Sequence, residues 1–174
     1  LVRFRRICPA NISVTTDLQT PRAIAQIDSG NFQQALLNLL INARDAQPSG
    51  GTIGVITNIE LSSVGELSGF ADGIEMQEGA YVIVSVIDNG TGMDAATQTR
   101  ATEPFFTTKE VGEGSGLGLS MVAGFCHQSG GGLRLQSTPG NGTTIAMYFP
   151  LTGLIAARSP PETVQSEAPP ASGA

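Results

Sequence analysis

Four groups of residues in this chain carry side chains or backbone suited to chemistry. Asn38, Asn42 and Asp45 stand four and three residues apart in LLNLLINARDA (36–46), so a helix would align two carboxamides and a carboxylate on one face. The other sides of that helix are mostly apolar. An unpartnered carboxamide there costs free energy, so the stripe should meet a polar network or a ligand cavity. Bonding to nearby backbone is the alternative. Asp88 ends the apolar run YVIVSVI (81–87) and precedes NGTG, where Gly90 and Gly92 permit a close approach. Asn-Gly is also a hairpin turn signal, but the residues that follow are irregular rather than strand-like. Gly114, Gly116 and Gly118 in GEGSGLGLS (112–120) lead straight into a helix, whose free N–H groups and dipole favour an anion. The loop fits neither the Gly-Lys phosphate motif nor G-x-G-x-x-G. The fourth group, PGNGTT (139–144), reads alone as a turn.

Composition restricts what these groups can serve. The 174 residues suffice for one domain with a real core. Only 14% are charged, against about 25% in an average domain. A net charge of -6 without a basic run argues against a nucleic-acid surface. No apolar stretch approaches the roughly 20 residues that span a bilayer, and no secretory signal is evident, so membrane contact is not expected and a cytoplasmic location is. Cys8 and Cys126 are isolated thiols, consistent with a reducing compartment, and Cys126 reads as core. His127, the single histidine, reads as a surface residue near a helix C-terminus. An acceptor role there would need an acid or base beside it, and none is evident.

The elements that would position these residues follow from pattern. LVRFRRICPANISVTTD (1–17) suggests two short strands around Pro9 to Asn11. Asp28 and Ser29 are N-cap candidates for a long helix that stops at Pro48 to Gly51. TIGVITNI (52–59) is a strand, and residues 60–79 are loop-like. YVIVSVI is a strand covered on both faces. Met93 to Gly114 is a long loop with one short helix. A helix follows, with Leu117, Met121, Val122 and Phe125 at helical spacing. LRLQST and TTIAMYF close the pattern as strands around Pro139-Gly140. From Leu151 the chain is rich in Pro, Ser, Ala and Glu, so residues 1–150 are expected to form the domain and 151–174 a disordered tail. The class is α+β, with a mixed β-sheet and helices on one face.

Together, and in this order, the groups resemble the N, G1, F, G2 and G3 boxes of the catalytic ATP-binding domain of sensor histidine kinases. The matching segments are NLLINARDA, DNGTG, EPFFTTK, GSGLGLS and GNGTT, within residues 28–150. NARDA with EPFFTTK is similar to kinases that carry PAS or receiver domains. The resemblance implies the Bergerat fold, a two-layer α/β sandwich with a long ATP lid over Met93 to Glu113.

It also implies roles. Asn42 would give its carboxamide oxygen to Mg2+ bridging the phosphates of ATP, with Asn38 and Asp45 nearby. Asp88 would accept from the adenine amine, Gly90 and Gly92 would make room for the ring, Met93 would join the nucleotide site at the start of the lid, and Thr143 would sit beside the adenine pocket. Lys109, and less directly Arg100, would reach the terminal phosphates. Lys109 and Asn38 would stand closest to the chemistry. Phe105 and Phe106 would anchor the lid, and Gly114, Ser115, Gly116, Leu117 and Gly118 would wrap the phosphates.

The reaction implied is transfer of the γ-phosphoryl group to a histidine on a separate dimerisation hairpin, then onward to a response regulator receiver. No segment here resembles that hairpin, so the fragment is expected to be monomeric. Two departures stand out: Asp45 occupies a position where many relatives have Lys, and Ala101-Thr102 replaces an apolar pair. Hydrolases and serine kinases of this fold carry a Glu four residues before the metal-binding Asn. Here that position is Asn38, which cannot act as a general base. A nucleotide-sensing module without catalysis is a further alternative.

Overall fold

A computed structural model describes residues 4, 8–20, 22–62, 70–71, 76–110 and 114–154. Strands β1 (Ile12–Leu18) and β2 (Ala23–Ala25) precede helix α1 (Ser29–Asp45). Next come β3 (Gly51–Ser62), β4 (Gly79–Asp88), the short helix α2 (Ala95–Arg100), helix α3 (Gly118–Gln128), β5 (Gly132–Thr138) and β6 (Gly142–Leu154). The six-stranded sheet runs β1-β3-β4-β6-β2, with β5 also paired to β6. The β1–β3 pair is parallel and the rest are antiparallel, so the sheet is mixed as expected.

Local chemistry accounts for α1. The Asp28 carboxylate accepts from the Asn31 N–H at 2.7 Å, which satisfies one orphan donor of the first turn. Leu39, Leu40 and Ala43 then turn one face inward and are nearly fully buried. Helix α3 contributes Val122, Phe125 and Cys126 to the same core, and the sheet answers with Ile53, Val84, Met147 and Phe149. The Phe149 ring meets Phe32 of α1 edge-on at 6.0 Å and Phe125 of α3 at 5.6 Å. One aromatic ring therefore ties both helices to β6.

Strand periodicity sorts the other face. In β4, Val84 and Val86 face the helices, whereas Tyr81 and Ile83 face away and join Phe70, Met76 and Tyr148. The run YVIVSVI is thus covered on both sides, by helices above and by Phe70 and Met76 below. Carried two residues on, the alternation turns Asp88 to the helix face. Its cross-strand partner Thr143 lies two residues before Ile145, on that same face.

Several expectations are corrected. Of the two expected N-terminal strands β1 forms; the first falls on residues 1–7, which lie outside the described residues except for Phe4, and Phe4 is helical and 1% exposed. Strand β3 runs to Ser62, because residues 60–62 pair with Gly79 to Tyr81. Met121 does not join the apolar stripe of α3 and is 57% exposed. The domain does not end at Pro150: β6 continues to Leu154, where β2 takes over its outer edge and supplies partners for Leu151, Gly153 and Leu154. The rest of the expected tail, 155–174, lies outside the described residues.

Candidate functional site

Asp88 sits at the closed end of a cavity of about 490 Å3 that opens between α1, α3 and the segment after β4. Its residue is 8% exposed, and Oδ1 accepts from the Gly90 N–H at 2.8 Å. Burial raises its carboxyl pKa, and the backbone N–H groups of Gly90 and Thr143 only partly offset that. A buried carboxylate with oxygen capacity left over, facing a cavity, is equipped to accept from a ligand.

The segment after Asp88 is not a hairpin. The Thr91 N–H donates to Ala46 O at the end of α1, and Gly140 N–H donates to Thr91 O from the β5–β6 turn. Asn89 Oδ1 accepts from the Thr52 N–H at 2.8 Å. This knitting gives the glycines a packing role beside the expected one of clearing space for a ring. A Cβ on Gly90 would lie 2.5 Å from Ala46 O, and one on Gly92, whose φ is +65°, would meet Thr138 O. Gly92 still lines the cavity, as does Met93.

The open end of the cavity is polar. Asn38, Asn42 and Asp45 line it from α1. Asn38 accepts from the Gln34 side chain at 3.1 Å rather than from backbone. Asn42 makes no side-chain hydrogen bond among the described residues, and its Nδ2 lies 4.0 Å from the place a Gly118 Cβ would occupy. Across from it, α3 begins at Gly118 with no side-chain cap on its first turn. Ser115, Gly116 and Gly118 line the same wall, so free N–H groups and the helix dipole look toward Asn42.

Lys109 and Gly114 complete the rim, with residues 111–113 of the expected lid outside the described residues. Lys109 Nζ donates to Asp45 Oδ2 at 2.5 Å, and Arg44 donates from Nε and Nη2 to Asp45 Oδ1 at 2.9 and 2.7 Å. Partial burial resists ionisation of Asp45, but these hydrogen bonds outweigh it and hold the carboxyl below its ordinary range.

Four expected members do not line the cavity, the first being Gly90, which packs against Ala46. Arg100 pairs with Glu103 at 3.0 Å and lies 4.3 Å over the Phe106 ring, clear of the cavity lining. Phe105 is 74% exposed with φ at 68°, its N–H donating to Gly116 O, while Phe106 alone of the pair lines the cavity. Leu117 supplies the α3 N-cap residue without lining the cavity. Sequence reasoning missed Arg44 and the apolar walls Val86, Leu119 and Ile145. The strand period carried a signal for Val86 and Ile145; Arg44 had none.

The family described as Histidine kinase-, DNA gyrase B-, and HSP90-like ATPase matches residues 27–153. The chain belongs to this family. It is 46% identical over 124 residues to the sensor kinase CckA of Brucella abortus, covering 71% of this chain and 13% of that protein. It is also 32% identical over 142 residues to the signal transduction histidine-protein kinase AtoS of Escherichia coli, covering 82% of this chain and 20% of that protein. Among solved structures, a mycobacterial sensor histidine kinase, MprB, matches with a TM-score of 0.63 at 25% identity. That match covers 86% of this chain and 88% of the other. The chain thus spans a small part of its curated relatives and most of a solved domain. An α+β fold with helices on one face of a mixed sheet is what this family of ATPase domains shares with the chain.

Proposed function

We propose that this domain binds ATP with Mg2+ and donates the γ-phosphoryl group to a histidine on a separate dimerisation hairpin of the same kinase. The observation that carries the reading is one cavity with a buried acceptor, Asp88, at its closed end. At its open end stand the unpartnered Asn42 carboxamide, Lys109 and the uncapped start of α3. Adenine fits the first end, because its exocyclic amine donates where Asp88 accepts. Phosphates fit the second, where helix N–H groups and a cation stabilise charge that develops during transfer.

Asn42 is the residue that would hold Mg2+, an ion that keeps several waters and takes few protein oxygens. No group of three or more acidic, His or Cys side chains forms a metal site among the described residues, so Asn42 would hold the ion only together with oxygens from outside the protein. When bound, the ion neutralises phosphate charge. Asn38 stands one turn before Asn42 and is neutral at working pH, so it cannot activate water. Transfer to an external nitrogen nucleophile, with ADP leaving, is therefore favoured over hydrolysis.

The NARDA and EPFFTTK segments favour a kinase of the type that carries PAS or receiver domains, working in the cytoplasm and passing phosphate to a response regulator. With the dimer contact supplied by the acceptor hairpin, the ATP-binding domain by itself would be monomeric. Incubation with γ-labelled ATP tests the reading. The fragment should bind ATP–Mg2+ yet neither label itself nor release phosphate appreciably, and adding the hairpin should produce acid-labile, base-stable label on its histidine. Rapid phosphate release, or stable label on the exposed His127, would overturn it.

A further inference from the structure

Position 45 lacks the cation that the phosphate end of the cavity calls for, yet the structure gathers two cations around it. Arg44 arrives from α1 and Lys109 from a segment 64 residues away, and both donate to the single carboxylate of Asp45. All three line the cavity that contains Asn42 and the start of α3. Their side chains are only 27 to 31% exposed. The cluster carries a net charge of +1, and one anion holds two cations close together that would otherwise repel. Arg44 makes no other hydrogen bond among the described residues, so most of its guanidinium donors remain available.

We propose that Arg44 is a second phosphate-binding cation of the ATP site and that Asp45 is a positioning residue, gathering Arg44 and Lys109 into one clamp at the cavity mouth. This rests on the ATP-binding reading above and extends it to a residue that reading does not use. A surface ion pair with no ligand would contribute little to anything. A clamp for a polyphosphate instead predicts an effect that grows with the number of phosphates. The bidentate planar guanidinium suits phosphate oxygens better than an ammonium does.

Calorimetric titration of the full chain with AMP, ADP and ATP, each with Mg2+, separates the possibilities. Arg44→Ala should lose about tenfold in ATP affinity. AMP affinity, which depends on Asp88, should stay within about twofold and reports that the variant is folded. Arg44→Lys should recover only part of the loss. In the nucleotide-free chain, Asp45→Asn should raise protease cleavage near Lys109 several-fold, and Asp45→Glu should restore protection. An unchanged ratio of ATP to AMP affinity in Arg44→Ala would overturn the clamp. Equal cleavage of Asp45→Asn and the parent would overturn the positioning role. A parent that binds neither AMP nor ATP would instead bring down the ATP-site reading, and the clamp with it.

Discussion

Gln98 and Ser137 exchange hydrogen bonds in both directions: Gln98 Nε2 donates to Ser137 O at 2.9 Å, and the Ser137 N–H donates to Gln98 Oε1 at 3.2 Å. The same Nε2 reaches Met93 O, while Ser137 Oγ accepts from the Met93 N–H and lies 2.8 Å from Thr143 Oγ1. A side-chain amide thus continues the edge of β5 and pins α2, the root of the expected lid, beside the wall that holds Thr143 and Asp88. Mobility across all of Met93 to Glu113 does not fit this anchoring. The anchoring predicts that protection from opening is greater up to α2 than beyond it.

Replacing Gln98 by Met keeps the side-chain length and deletes the amide. Backbone groups of Met93 and Ser137 then lose part-buried partners, at a cost of about 1–3 kcal/mol. Urea denaturation should give a loss in that range, and limited proteolysis should find new cleavage within residues 93–103. Unaltered stability and cleavage would mean that solvent replaces the amide freely.

On the proposed reading, Asp88→Asn should weaken ATP binding by about 10- to 100-fold, since an amide would replace the ionised acceptor for the adenine amine. GTP, which presents a carbonyl at that place, should bind the parent poorly. Competitive titration of both nucleotides checks this, and equal affinity would remove Asp88 from base recognition.

The raised pKa of Asp88 gives a pH signature. Burial favours the protonated form in the folded chain. Its stabilising contribution is therefore fully present below the unfolded carboxylate pKa and is lost as pH rises through the folded one. If Asp88 accepts from adenine as proposed, ATP binding calls for the ionised form, and affinity should fall on acidification from a pH above the usual carboxylate range. The Asp88→Asn variant should lack that fall and should be more stable than the parent at neutral pH. Thermal melts and binding isotherms across pH 4 to 7 measure both effects in the range where a raised carboxylate titrates.

Asn42→Ala removes a side chain that bonds nothing described in the protein, so the fold should tolerate it to within about 0.5 kcal/mol. Mg2+ should cease to strengthen ATP binding, a difference read by titrating with and without chelator. If the variant unfolds while the parent ignores Mg2+, Asn42 is structural.

Much of the molecule was legible in short stretches of chain. The Asp28 cap, the stop near Pro48, the buried strand ending in Asp88 and the short helix after Met93 are all marked by residue patterns a few positions long. So does the alignment of Asn38, Asn42 and Asp45, because a helix repeats its geometry wherever it forms. Contacts between distant segments were not legible in this way. That Gly90 and Gly92 lie against the backbone of Ala46 and Thr138 depends on how the segment after β4 threads between α1 and the β5–β6 turn. Phe106 lines the cavity while Phe105 points to solvent, because Phe105 sits at positive φ against Gly116, a conformation no pattern of two phenylalanines encodes. Arg44 meets Lys109 over Asp45 only once strand register and helix docking bring residues 64 apart together. Spacing rules act through the local backbone, whereas these pairings are set by the packing of the whole domain.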